Sequence, residues 1–127
     1  MRILITAGPT REPIDPVRYL SNRSSGKMGY AIAEAAADRG HEVILVSGPV
    51  SLPPFSKGKL LKVETAAEMF EAVQSEVGKV DAAVFSAAVA DYRPVRKWAD
   101  KIKKTGDTLS LELEKTEDIL GSVRKQF

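Results

Sequence analysis

The chain has 127 residues. Against a usual domain of roughly 100–200 residues this leaves room for one compact core and excludes two independent domains. With 43% hydrophobic and 28% charged residues the composition is globular. The 19 Lys and Arg against 17 Asp and Glu give only +2, so any attraction to nucleic acid or an anionic membrane needs a local cluster. The lack of cysteine excludes a disulfide framework, a thiolate zinc site and a cysteine nucleophile together. No window approaches the roughly 18 apolar residues that span a bilayer. The opening residues, with one positive charge and a short apolar run, do not read as a secretory signal, so a cytoplasmic protein with no membrane partner is expected.

Residues 3–7 form an apolar run that ends at Gly8-Pro9, as a buried parallel strand does. Residues 8–25 follow without helical or strand periodicity and carry Pro9, Pro13 and Pro16. A loop that long inside a compact domain is usually functional. Met28, Ile32, Ala35 and Ala36 then share one side of a helix that starts near Gly26 and closes at Gly40. Residues 43–47 repeat the apolar, β-branched pattern and end in Gly48-Pro49, which predicts a right-handed βαβ crossover and a parallel sheet.

Pro53-Pro54 and Gly58 mark a surface loop, and residues 60–64 a third strand. Thr65 and Glu68 have the spacing of a capping box, opening a helix that buries Met69, Phe70, Val73 and Val77 and stops at Gly78. Residues 81–90 read as a fourth strand whose small C-terminal residues allow close approach to the backbone. Leu109, Leu111 and Leu113 alternate with polar residues, and Ile102 lies among Lys101, Lys103 and Lys104 just upstream. A turn at residues 105–107 would join the two as a hairpin. Residues 116–126 read as a helix with Asp118 in its first turn and Ile119, Leu120 and Val123 on one face, in position to feed a further parallel strand.

The loop after the first strand lies where open α/β sheets bind ligands. Ser24, Ser25 and Gly26 read either as a helix cap with a permissive glycine or as hydroxyls and amides for an anion. Gly26-Lys27 is not a phosphate-binding P-loop, because the earlier glycine is missing and Met28 stands where the metal-binding hydroxyl belongs. The three-glycine dinucleotide pattern is also absent. Arg11, Arg18 and Arg23 in a proline-stiffened loop read either as solvated side chains or as a focused site for phosphate or carboxylate. Asp91, directly after the fourth strand, is either a turn residue or an acceptor for a ribose hydroxyl or magnesium. The lysines at 101, 103 and 104 are either edge-strand charges or a mobile basic hairpin that closes over a polyphosphate. His41 is assigned no role, Trp98 reads as packing or an interface anchor, and the acidic residues show no metal-ligand spacing.

The run from Ile5-Thr6-Ala7-Gly8-Pro9-Thr10-Arg11-Glu12-Pro13-Ile14-Asp15-Pro16 through Val17-Arg18-Tyr19-Leu20-Ser21-Asn22-Arg23-Ser24-Ser25-Gly26-Lys27-Met28-Gly29 closely resembles the phosphopantothenate–cysteine ligase family of coenzyme A biosynthesis. So do Ser47-Gly48-Pro49-Val50, Ala87-Ala88-Val89-Ala90-Asp91-Tyr92, Lys101-Ile102-Lys103-Lys104 and Lys115-Thr116-Glu117-Asp118-Ile119-Leu120, in order along nearly the whole chain. The resemblance implies an α/β, Rossmann-like three-layer fold with a mostly parallel sheet and a β-hairpin flap. In bacteria such a ligase is usually the C-terminal half of a bifunctional protein whose other half is an FMN-dependent decarboxylase, absent here. The family forms an amide between 4′-phosphopantothenate and cysteine, bacterial members with CTP and magnesium and eukaryotic ones with ATP, and the first motif looks bacterial.

Carried over by motif, the resemblance gives Asn22 the polarising of the acyl group, Arg18 an anionic part of the substrate, and Lys101 the triphosphate. It gives Ser24, Ser25 and Gly26 to phosphate, Phe85, Ser86 and Ala87 to the base, Asp91 to the nucleotide, and Gly8 to the same cofactor-binding site. It implies no protein metal ligand, a homodimer formed through the hairpin region, and no nucleic-acid partner. Family members continue past the position of Phe127, so a truncated domain with weakened nucleotide binding is expected. The rival reading is a non-catalytic or redox Rossmann-like module for NAD or FMN.

Overall fold

A computed structural model describes residues 1–104 and 106–126. The apolar runs form a parallel sheet in the order β5-β4-β1-β6, from β1 (Arg2–Ala7), β4 (Glu42–Ser47), β5 (Lys59–Lys62) and β6 (Ala82–Phe85). Pairing in register, Ile3 with Val43 and Ile5 with Leu45, turns alternate residues to opposite faces. Ile3, Ile5, Val43 and Leu45 pack with Ala33 of α1 (Lys27–Asp38) and with Phe55, whereas Leu4, Ile44 and Val46 pack with Met69, Val73 and Val77 of α2 (Ala66–Val77). Ile119 and Val123 of the short α3 (Ile119–Arg124) join the second cluster. Helices therefore cover both faces of the sheet, giving the three layers expected of an α/β domain. No helix among the described residues is long and apolar enough to cross a membrane.

The Thr65–Glu68 capping box forms, with the Thr65 hydroxyl accepting from the Glu68 amide at 3.1 Å. On α1, Ile32 and Ala36 pack against the core as expected, but Met28 does not. Met28 is 71% exposed, and the buried positions are Gly29 and Ala33. A Cβ at Gly29 would collide with the Cβ of Ala7, so the helix backbone lies flush on β1 at that point and the bulky Met28 turns to solvent. On α3, Ile119 and Val123 face the core one turn apart while Leu120, 49% exposed, does not.

Three further expectations are corrected. Residues 8–25 contain a small antiparallel pair, β2 (Arg11–Pro13) with β3 (Tyr19–Ser21). Its tip is closed by Asp15, which accepts from the amides of Val17 and Arg18 at 3.0 and 2.8 Å. Three-residue strands are too short to show a period. The fourth strand ends at Phe85 rather than near residue 90, because beyond it the pairing with the first strand thins to a single bridge, Pro9 with Ala88, and threonine hydroxyls take up the Ala87 and Ala90 amides. The hairpin exists, but its arms are β7 (Tyr92–Pro94) and β8 (Leu113–Lys115), with Leu109 exposed and outside any strand. Arg93 selects this pairing by donating to Glu114 at 3.1 Å and to both oxygens of Glu117 at 2.9 Å. The expected turn at 105–107 includes Thr105, which lies outside the described residues.

Candidate functional site

Two clefts open at the carboxyl ends of the parallel strands, where ligands bind in open α/β sheets. The first, about 520 Å³, is lined by Asn22, Ser24, Ser25, Arg11, Arg23 and Lys27, with the Pro49-Val50 loop opposite. Gly8 and Gly26 do not line it; they are buried behind Val50, in close approach to each other. Gly8 and Gly26 both have positive φ, at 77° and 82°, and a Cβ on Gly26 would sit 3.3 Å from the Cα of Gly8. The serines do not cap α1 in the ordinary way. Gly26 occupies the N-cap position and has no side chain to cap with, while the Ser24 and Ser25 hydroxyls accept at 3.3 Å from the amides of Gly26 and of Lys27, the first residue of the helix. With no acidic residue in the first turn, this helix N-terminus suits an anion. Asn22 is fixed by accepting at 3.2 Å from the Ser24 amide through Oδ1, which leaves its Nδ2 group as the donor. Arg11 stacks on Tyr19, its guanidinium carbon 4.6 Å from the ring centre.

The second cleft, about 490 Å³, is lined by Phe85, Ala87, Asp91, Lys115, Thr116 and Glu117, among others. Its wall, residues 86–91, is fastened by three threonines. Thr6 Oγ1 accepts from the Ala87 amide at 3.3 Å, Thr10 Oγ1 accepts from the Ala90 amide at 2.9 Å, and Thr116 donates to the Ala90 carbonyl at 2.6 Å. The Ser86 and Ala88 amides are likewise taken, by the carbonyls of Thr6 and Gly8. Ser86 does not line this cleft, and its hydroxyl lies beside Gly29 of α1. The Arg93 pair holds the Glu117 carboxyl below its ordinary range, so both stay charged at the cleft rim. A bridge between Pro9 and Ala88 lies between the residues lining the two clefts.

The structure thus brings Asn22, Ser24 and Ser25 together in the first cleft, with Gly8 and Gly26 buried behind it, and Phe85, Ala87 and Asp91 together in the neighbouring cleft. Arg18 stands apart, with its Nε and Nη2 on the Asp15 carboxylate at 3.0 and 2.6 Å. Lys101 lines neither cleft and is exposed. Thr6, Thr10 and Lys115 were not singled out by sequence reasoning. For the first two the available signal was a hydroxyl in an otherwise apolar strand and at its exit. No group of three or more His, Asp or Glu side chains suited to a metal ion occurs among the described residues.

The whole chain, residues 1–127, matches the family described as the DNA/pantothenate metabolism flavoprotein C-terminal domain. It is 54% identical over 126 residues to the coenzyme A biosynthesis bifunctional protein CoaBC of Escherichia coli, covering 97% of this chain and 31% of that protein. The crystal structure of a CoaBC C-terminal domain superimposes with a TM-score of 0.83 at 52% identity, covering 98% of this chain and 58% of the other. The DNA/pantothenate metabolism flavoprotein of Streptococcus pneumoniae gives a TM-score of 0.87 at 28% identity, with 98% and 64% covered. The chain spans about a third of the length of the curated relatives it matches. The match over the whole chain and the shared fold agree, and the chain belongs to the family of DNA/pantothenate metabolism flavoprotein C-terminal domains.

Proposed function

We propose that this chain carries the nucleotide and acyl site of a ligase of coenzyme A biosynthesis, joining the carboxylate of 4′-phosphopantothenate to the amine of cysteine at the expense of CTP. The observation that carries this reading is the identity of 54% to a coenzyme A biosynthesis protein along 97% of the chain. In the first step a carboxylate oxygen attacks the α-phosphorus of CTP and pyrophosphate leaves, giving an acyl-cytidylate. In the second the cysteine amine attacks the acyl carbon, the bond to CMP breaks and the amide forms.

Each step asks for charge neutralisation and fixed geometry rather than covalent help from the protein. The open α1 N-terminus with Ser24 and Ser25 is suited to phosphate, and Asn22, whose Oδ1 is already engaged, has an amide donor for the acyl oxygen. Phe85 and Ala87 offer an apolar wall for the base, and Asp91 an acceptor for the nucleotide. With no cluster of acidic ligands among the described residues, magnesium fits here as the counter-ion that the triphosphate brings. In the parent protein we place a flavin decarboxylase alongside this part. We also propose a homodimer through the hairpin, where Tyr92, Val95 and Leu113 are 48%, 49% and 42% exposed. A strictly monomeric mass in solution would count against the dimer.

The test is Asn22→Asp with CTP, 4′-phosphopantothenate and cysteine. The variant is expected to release pyrophosphate and accumulate acyl-cytidylate while CMP release stalls. Product formation at the parent rate would remove Asn22 from the chemistry.

A further inference from the structure

Arg18 and Asp15 form a joint that the two clefts do not use. The Asp15 side chain is fully buried, and besides Arg18 it accepts at 3.0 Å from the amide of Ile102, far along the chain. Arg18 Nη2 in turn donates to the Ile102 carbonyl at 2.9 Å. Both polar groups of one residue in the lysine-rich segment are thus gripped by one ion pair. The Trp98 amide adds a bond to the Ile14 carbonyl at 2.9 Å. Among the described residues these are the hydrogen bonds that join residues 98–104 to the rest of the chain, and the segment belongs to no strand. Ile102 is half-buried while Lys101, Lys103 and Lys104 around it are exposed. On the other side of the joint, β3 runs directly from Arg18 to Asn22.

We propose that Asp15 is a positioning residue: through Arg18 and the Ile102 peptide it holds the lysine segment at a fixed place at the β2–β3 tip, the end of β3 opposite Asn22. The lysines then meet a polyphosphate as a preset group, and their ordering is not charged against binding. The identity of the anion rests on the function proposed above; the joint itself does not. A carboxylate bonded by a guanidinium and by backbone amides is the strong, charge-assisted kind of contact suited to such a hold.

The test combines amide hydrogen exchange at Ile102 with calorimetric titration of inorganic tripolyphosphate on the parent, Asp15→Asn, Lys101→Gln and the double variant. Asp15→Asn is expected to speed Ile102 exchange and to weaken tripolyphosphate by about tenfold. The double variant should lose less than the two single losses added together, because Asp15 acts through the lysines. If Asp15→Asn disturbs the β2–β3 tip itself, Ile102→Pro removes the amide donor from the other side and should give the same loss. Parent-like affinity in both variants, or losses that simply add, would overturn the proposal. A parent that binds neither tripolyphosphate nor CTP would overturn the nucleotide reading and with it the lysines' role, while slow Ile102 exchange in the parent and fast exchange in Asp15→Asn would still mark the joint.

Discussion

The parallel sheet and the arm that runs from Tyr92 to Asp118 are held by different forces. In the sheet Leu4, Ile5, Leu45 and Val46 have no exposed surface, and neighbouring strands pair in unbroken register. In the arm the two strands have three residues each, and order comes from Arg93 on Glu114 and Glu117, Thr116 on Ala90, and Asp15 with Arg18 on Ile102. Burial is non-directional and tolerant of conditions, whereas such polar joints are directional and respond to pH and salt. The groups assigned to the reaction sit where the two regimes meet. Fold stability and site geometry should therefore be separable by mutation.

The largest effect is expected from Leu4→Ala. Emptying the space between β1 and α2 should cost about 2–5 kcal/mol in denaturant unfolding. It should leave the nucleotide affinity of the folded fraction unchanged, and a matching loss of affinity would mean that core and site are not separable. Gly29→Ala comes next, since the new methyl meets Ala7 and must push α1 off the sheet, at about 1–3 kcal/mol by the same measurement. Thr65→Ala removes the cap of α2 and should cost about 1 kcal/mol, again with no change at the clefts.

Arg93→Ala should cost about 1 kcal/mol or less globally, because the guanidinium and its partners are partly solvated. Amide exchange in β7 and β8 should nonetheless accelerate while that in β1 and β4 does not, and uniform acceleration would refute local anchoring. The smallest effect at neutral pH is expected from titration. Arg18 holds the Asp15 carboxyl well below its ordinary value of 3.8, and Arg93 holds that of Glu117 below 4.5. Depressed carboxyl pKa values add stability that is fully present above those ordinary values and lost as pH falls through the folded ones. Trp98, the single tryptophan, should report no change from pH 7 to about 5, then a release of the arm in acid. Asp15→Asn should remove the part of that change due to the Ile102 joint, and an unaltered acid transition would mean the joint does not hold the Trp98 segment.

The same division decides what the sequence makes legible. β1, β4 and α2 can be read directly, because an apolar run with a Gly-Pro stop and a capping box are local signals of burial and helix start. The β2–β3 pair and the true arms of the hairpin cannot, since three-residue strands have no period and their pairing is fixed by side chains, Asp15 on the amides of Val17 and Arg18 in the first and Arg93 on the distant Glu114 in the second. Met28 misleads for a related reason: an apolar side chain on the expected face is displaced by the flush contact of Gly29 on Ala7. At the site, Asn22, Ser24 and Ser25 are legible as neighbours because one loop carries them. The threonines that fasten residues 86–91, and the attachment of Arg18 to Ile102, depend on side-chain directions that only the folded chain displays.

The most direct measurement is a calorimetric titration of this chain with magnesium-CTP, ATP and NAD in parallel, since binding probes the clefts without requiring turnover. Preferential binding of CTP is the result expected of a bacterial ligase site. Preferential binding of NAD would contradict it and favour a dinucleotide module.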